Sequence, residues 1–174
     1  SWAINLRGHH GSRPVADIGK VSMFDYVADA LEVARAMRNP IVIGHSMGGL
    51  LAQKVAEAGA CRACVLLASA PPRWIPIASW LLAIRQLKYT KTLVLSRPLS
   101  PDRSDADVLM FNRTPMSDRP GFFSRLVAES GRAGLEMSLG AAGVDVDRVT
   151  APVFVVSGTD DRFIVPRIAR AIAA

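Results

Sequence analysis

The sequence predicts an α/β fold: a mostly parallel sheet flanked by helices, with a helical insertion before the last strand. Three observations lead to it. Short β-branched or apolar runs alternate with stretches of helical periodicity, glycine and proline fall where those stretches should stop, and the regular pattern fails between Pro72 and Val149 before resuming.

Taken in order, Trp2-Ala3-Ile4-Asn5-Leu6 reads as a strand, followed by the loop Arg7 to Ser12. Ser22 precedes Asp25 by three residues, the spacing of a capping box, and Phe24, Val27, Ala28, Leu31 and Ala34 then recur at helical spacing. This helix is expected to end by Asn39, because Pro40 disfavours helical geometry in the residue before it. Residues 41 to 43 are β-branched throughout, as expected of a central strand covered on both faces. A second helix runs from Met47 to Ala58 with Gly59 as its stop, and Cys64 to Ala68 forms a third strand ended by Pro71-Pro72.

From there prolines at 76, 98, 101, 115 and 120 interrupt the chain. Short apolar helices such as Trp74 to Leu87 are expected to alternate with polar turns, and Ser100 to Asp107 is the most loop-like part. The strand Val153 to Val156, a turn over Ser157 to Arg162 and a helix from about Pro166 complete the pattern. The implied division is a first part of the core at 1–72, a helical insertion at 73–149 and a second part of the core at 150–174.

Composition narrows the function classes. At 174 residues the chain is long enough for one domain with a proper core. Its longest nearly continuous apolar run, Trp74 to Ile84, falls well short of the roughly 20 residues of a membrane span. The expectation is therefore a soluble protein, placed in the cytoplasm. The net charge of +6 comes from arginines spread between Arg7 and Arg170 without a dense basic patch, so no nucleic-acid partner is expected. Cys61 and Cys64 make one C-x-x-C, which is at most half of a zinc site. Small residues packing at the start of a strand are preferred over a redox pair. No cofactor and no metal are expected. Because the chain starts at Ser1, inside an apparent strand, and stops at Ala174, inside an apparent helix, both ends read as cut.

The chemistry concentrates in Gly44-His45-Ser46-Met47-Gly48-Gly49. G-x-S-x-G is only moderately specific by itself, but here it lies between an apolar strand and an amphipathic helix. A strand turning abruptly into a helix strains the backbone at Ser46, and glycines at 44 and 48 are expected to remove the side chains that would collide there. Ser46 Oγ is then held out as a nucleophile. The Met47 backbone N–H, at a helix start, is placed to stabilise an oxyanion.

This motif, with "LRGHHGS" before it and "VLLASAPP" and "APVFVVSGTDDRFIVP" after it, resembles the α/β-hydrolase superfamily, nearest to its esterase, lipase and lysophospholipase-like members. The likeness covers residues 2 to 72 and 146 to 174 well, and the intervening region only as a variable cap. It implies a serine hydrolase acting on carboxylic esters or related acyl compounds. Asp161 fits the family's G-x-x-D spacing for the triad acid, with Asp160 as the alternative. The triad histidine would follow one further strand and so lie outside the chain. His10-Gly11 resembles the dipeptide that carries the second oxyanion donor, although its surroundings fit the next loop.

Of the three histidines, His45 is expected to pack beneath the turn, and nothing in the sequence supplies His9 or His10 with an orienting carboxylate. The apolar cap segment Trp74 to Ile84 is read as packing on the core in preference to touching a membrane surface. Haloperoxidase, carbon–carbon hydrolase and acyltransferase chemistries are compatible with the same serine turn, and a non-catalytic binding or scaffold module is the other reading.

Overall fold

The computed structural model describes residues 1–73, 75 and 84–174. The first helix, α1 (Met23–Ala36), begins at the expected capping box: the Ser22 hydroxyl accepts the Asp25 N–H at 3.0 Å and the Asp25 carboxylate accepts the Ser22 N–H at 2.9 Å. Its apolar stripe of Met23, Tyr26, Val27, Ala30 and Ala34 is buried. Arg38 and Asn39, both at positive φ, then turn the chain into Pro40.

Strand β1 (Ile41–His45) leads into α2 (Met47–Glu57), and Gly59 at φ 65° carries the chain to β2 (Ala63–Leu67). After the long middle segment, β5 (Val153–Val156) precedes the C-terminal helix Pro166–Ala173. The three strands form one parallel sheet in the order β1-β2-β5, with Val65 opposite both Ile43 and Phe154. Strand and helix identities along this frame follow the sequence pattern closely, because each depends on residues a few positions apart.

Two expectations about the sheet are corrected. Residues 2 to 6 form no strand, and Trp2 is 85% exposed. A strand exists only where its backbone groups find a neighbour. Here Trp2, Ile4 and Leu6 instead share a cleft of about 400 Å³ with β1. Nor is β1 covered on both faces: α1 packs on α2 rather than crossing to the opposite side of the sheet, and Ile43 is 64% exposed. Phe154, on the same face at the other edge, is 66% exposed. The core lies on the other face, where Cys64 and Leu66 meet Leu50, Leu51, Val55 and the buried side of α1.

The loop after residue 6 is tied to α1 by Arg7, which is largely buried. Its Nη1 donates to Asp25 Oδ1 at 2.9 Å, its Nη2 to Asp29 Oδ1 at 2.6 Å, and its backbone N–H to Asp29 Oδ2 at 2.9 Å. Both carboxyls are held below their ordinary value. For Asp25 the main cause is the Ser22 N–H; for Asp29, burial pushes upward and the Arg7 hydrogen bonds outweigh it. A carboxylate with a lowered folded-state pKa stabilises the fold fully above its unfolded value near 3.8 and loses that contribution as pH falls through the lower folded value. Arg7→Gln is therefore expected to flatten the acid limb of the stability–pH curve below about pH 4. Urea midpoints between pH 2 and 7 measure this, and an unchanged acid limb in the variant would count against it.

In the middle segment, Pro98–Leu99 (β3) pairs antiparallel with Glu129–Ser130 (β4), and Ser130 caps α3 (Gly131–Ser138) by accepting the Ala133 N–H. The reading of Ser100 to Asp107 as loop is also corrected. Arg103–Asp105 is helical, Ala106–Met110 continues as a π-helix, and Asp105 is only 3% exposed. Asp102 caps this turn through the Asp105 N–H, while Asp105 accepts from Arg85, Tyr89 and Lys88. Four charged residues in this stretch suggested solvent, but pairing with Arg85, Lys88 and Tyr89 from an earlier segment allows one of them, Asp105, to be buried. The expected apolar helix of Trp74 to Leu87 falls mostly outside the described residues. Among the described residues no helix is long and apolar enough to cross a membrane.

Candidate active site

Ser46 sits between β1 and α2 at φ 53° and ψ −122°, a left-handed conformation that a residue with a side chain adopts only under constraint. The constraint is visible in the hydrogen bonds. Ser46 donates its N–H to Leu67 O at 3.1 Å, and its carbonyl accepts the N–H groups of Gly49 and Ala70, each at 2.9 Å. The next residue, Met47, opens α2, and backbone N–H groups in the first turn of a helix lack intrahelical acceptors.

The glycines divide their work differently from the expectation. A Cβ at Gly44 would lie 2.6 Å from the Gly48 carbonyl carbon and 2.8 Å from Gly49 Cα. Gly44 therefore lets the strand pass directly under the helix. At Gly48 a Cβ would meet nothing within 4 Å, which corrects the steric role assigned to it. The second crowded position is Gly49, where a Cβ would stand 2.5 Å from Ser69 Cβ. The double glycine in the sequence signals the crowding but not which member feels it.

Ser46 opens onto a cleft of about 550 Å³ whose lining includes both candidate acids, Asp160 and Asp161. The two carboxylates are in different states. Asp161 is half-buried, and its Oδ1 accepts the Phe163 and Ile164 N–H groups at 2.9 and 2.8 Å. This arrangement orients the carboxyl, and among the described residues Oδ2 has no hydrogen-bond partner. Asp160 is exposed and paired with Arg113 Nε at 3.2 Å, while its backbone carbonyl accepts from Asn112 Nδ2 at 2.9 Å. Asn112 and Arg113, from the middle segment, also line the cleft beside the apolar Leu109 and Phe111. Sequence reasoning missed both, and no pattern marks a contact across 48 positions.

None of the histidines serves Ser46. His9 does have an orienting carboxylate, contrary to expectation: its Nε2 lies 2.9 Å from Glu129 Oε1 and its Nδ1 3.2 Å from Arg7 O. Both ring nitrogens are thus engaged by groups other than Ser46. His10 is exposed in the turn and, like His9, does not line the cleft. His45 does line it, but is exposed instead of packed beneath the turn, on the sheet face it shares with exposed Ile43. His45 makes no hydrogen bond to Ser46 among the described residues. His10-Gly11 likewise does not line the cleft, and Gly11 at φ 77° serves the Arg7 to Ser12 turn.

The C-x-x-C cysteines are free and buried, and burial pushes both thiols up, Cys64 to about 12. They pack under the sheet as small apolar side chains and are poorly suited to redox exchange.

The fold and the turn together define an α/β protein whose parallel sheet presents a strained serine, at a strand-to-helix junction, to an open cleft. The chain belongs to the alpha/beta hydrolase family, whose model matches residues 1–174. Similar solved structures include a monoacylglycerol lipase from Paleococcus ferrophilus, with 22% identity and a TM-score of 0.60 over 88% of this chain and 61% of that one. A lipase-esterase related protein from Clostridium acetobutylicum matches at 14% identity and a TM-score of 0.62, over 97% of this chain and 68% of that one. An N-formylmaleamic acid deformylase from Pseudomonas putida matches at 16% identity and 0.57, over 97% and 66%. The chain thus spans about three fifths of the length of the Paleococcus lipase. No curated protein matches it.

Proposed function

We propose that the protein is a serine hydrolase of carboxylic esters or related acyl compounds. The observation that carries this reading is Ser46, held at positive φ on the strand-to-helix turn and facing the cleft that Asp161 also lines. Ser46 Oγ attacks the acyl carbonyl, the Met47 N–H stabilises the tetrahedral oxyanion, and Asp161 orients a histidine other than the three in these 174 residues. An Oδ1 occupied by two backbone donors, with Oδ2 unbonded among the described residues, supports Asp161 over Asp160 as the acid. The lipase and lipase-esterase relatives support acyl transfer to water as the reaction class, and the deformylase shows that an amide-like acyl group is acted on elsewhere in the fold. A cleft of about 550 Å³ with apolar walls at Leu109, Phe111 and Phe163 suits a small apolar acyl substrate.

A fluorophosphonate probe tests the reading. Full-length protein is expected to be labelled at Ser46, with the label located by peptide mass and lost in Ser46→Ala. Absence of labelling in correctly folded full-length protein would favour a hydrolase-like binding module.

A further inference from the structure

The turn that holds Ser46 is braced from behind by a buried polar group with no part in the chemistry described so far. Gln53, in the second turn of α2, is 8% exposed, and its Nε2 donates to Ser69 Oγ at 2.9 Å and to Ala70 O at 3.2 Å. A carbonyl oxygen only accepts, so Ala70 fixes the orientation of the amide, and the two N–H bonds use both of its donors. Ser69, 1% exposed, adds a hydrogen bond from its own hydroxyl to Ala70 O at 2.9 Å.

These bonds grip the segment that clamps Ser46. Ala70 donates its N–H to the Ser46 carbonyl at 2.9 Å, Leu67 accepts the Ser46 N–H at 3.1 Å, and Ala68 between them is itself at φ 40°. Two strained non-glycine residues thus face each other across the loop after β2. Backbone strain of this kind persists only where the surroundings over-determine it. Neither helix propensity nor apolar packing calls for an amide at position 53, whose neighbours Ala52, Val55 and Ala56 are all buried apolar residues.

We infer that Gln53 is a positioning residue for Ser46, holding the loop of residues 67–70 so that the serine keeps its strained, outward-facing geometry. The inference rests on the reading of Ser46 as nucleophile. It acts on reactivity more than on binding, because Ala68 is the one residue of the 67–70 loop in the cleft lining, while Leu109, Phe111, Phe163 and Ile164 come from other segments.

The test is saturation kinetics of fluorophosphonate labelling in full-length protein, which separates the maximal inactivation rate from the probe's half-saturating concentration. Gln53→Met keeps the side chain's length and removes both donors; its maximal rate is expected to fall about 10- to 100-fold with half-saturation within twofold, in line with the effect of a roughly 1 Å misplacement. Ser69→Ala removes one link with little change of volume, and is expected to lower the same rate by about 3- to 10-fold at unaltered half-saturation, a milder form of that misplacement. A merely structural role would lower the urea midpoint and leave the rate of the folded protein unchanged, and that result in the two variants would overturn the inference alone. Failure of the unsubstituted protein to label would remove the nucleophile reading and this inference with it.

Discussion

Replacing Ser46 with alanine in the full-length protein is expected to lower ester turnover by about 10⁵- to 10⁶-fold, and Asp161→Asn by about 10⁴-fold. The two effects differ for a physical reason. Without the serine hydroxyl no covalent acyl intermediate forms, and what remains is the oxyanion donor and substrate binding. On the proposed mechanism, without the Asp161 charge the nucleophile would survive, but its base would lose orientation and the imidazolium formed during attack would lose a stabilising partner. The neighbouring carboxylate provides the control. Asp160 is exposed and paired with exposed Arg113, so Asp160→Asn is expected to change turnover less than about threefold, as an exposed pair is worth roughly 0 to 1 kcal/mol. Steady-state kinetics on p-nitrophenyl acyl esters measures all three. Equal losses in Asp160→Asn and Asp161→Asn, or a larger loss at Asp160, would reject the assignment of the acid.

Gly44→Ala is expected to destabilise the fold by about 3 kcal/mol, the upper part of the range for overpacking. In a chain of 174 residues this corresponds to a melting point lower by about 6 to 12 °C. The new methyl group would stand 2.6 Å from the Gly48 carbonyl carbon and 2.8 Å from Gly49 Cα. Both are backbone atoms of α2 and neither can rotate away, so strand and helix would have to separate. Gly49→Ala meets Ser69 Cα at 2.8 Å and should behave similarly. Gly48→Ala makes the contrast: its Cβ enters open space on a helix, and a gain of about 0.5 to 1 kcal/mol is expected from the lower conformational freedom of alanine in the unfolded chain. Thermal denaturation of the three variants distinguishes this ordering from one in which the glycines of the motif are equivalent.

The difference between Gly48 and Gly49 illustrates how far the sequence is legible. A strand, a serine flanked by glycines and a helix form a local pattern, and the strained turn follows from sterics within about six residues. The capping box at Ser22 and Asp25 is legible for the same reason. Which glycine is crowded depends on Ser69, twenty residues further along, and on how closely the next strand's loop lies against α2. Asp160 and Asp161 are likewise neighbours with the same chemistry, and only the direction of each carboxyl, one capping its own turn and one reaching Arg113, sets them apart.

The failures have a common cause. Trp2 to Leu6 has the composition of a strand, but its neighbour in space is a cleft. His9 seemed to lack a carboxylate because Glu129 is 120 positions away. Asp105 looked solvated, yet it is buried against Arg85 and Lys88, cations from an earlier segment of the chain.

The sequence by itself determined the parallel α/β class, the start and end of both long core helices, and the serine between β1 and α2, since each is specified by periodicity, capping or backbone sterics over a short span. Only the tertiary structure decided the distant partners: Asp160 binding Arg113, Gln53 reaching Ser69 and Ala70, and Ile43 and Phe154 left exposed on one sheet face while the other holds the core. Hydrogen bonds, ion pairs and burial between residues 16 to 120 positions apart depend on how elements pack in space, and a linear order of residues carries no direct record of that.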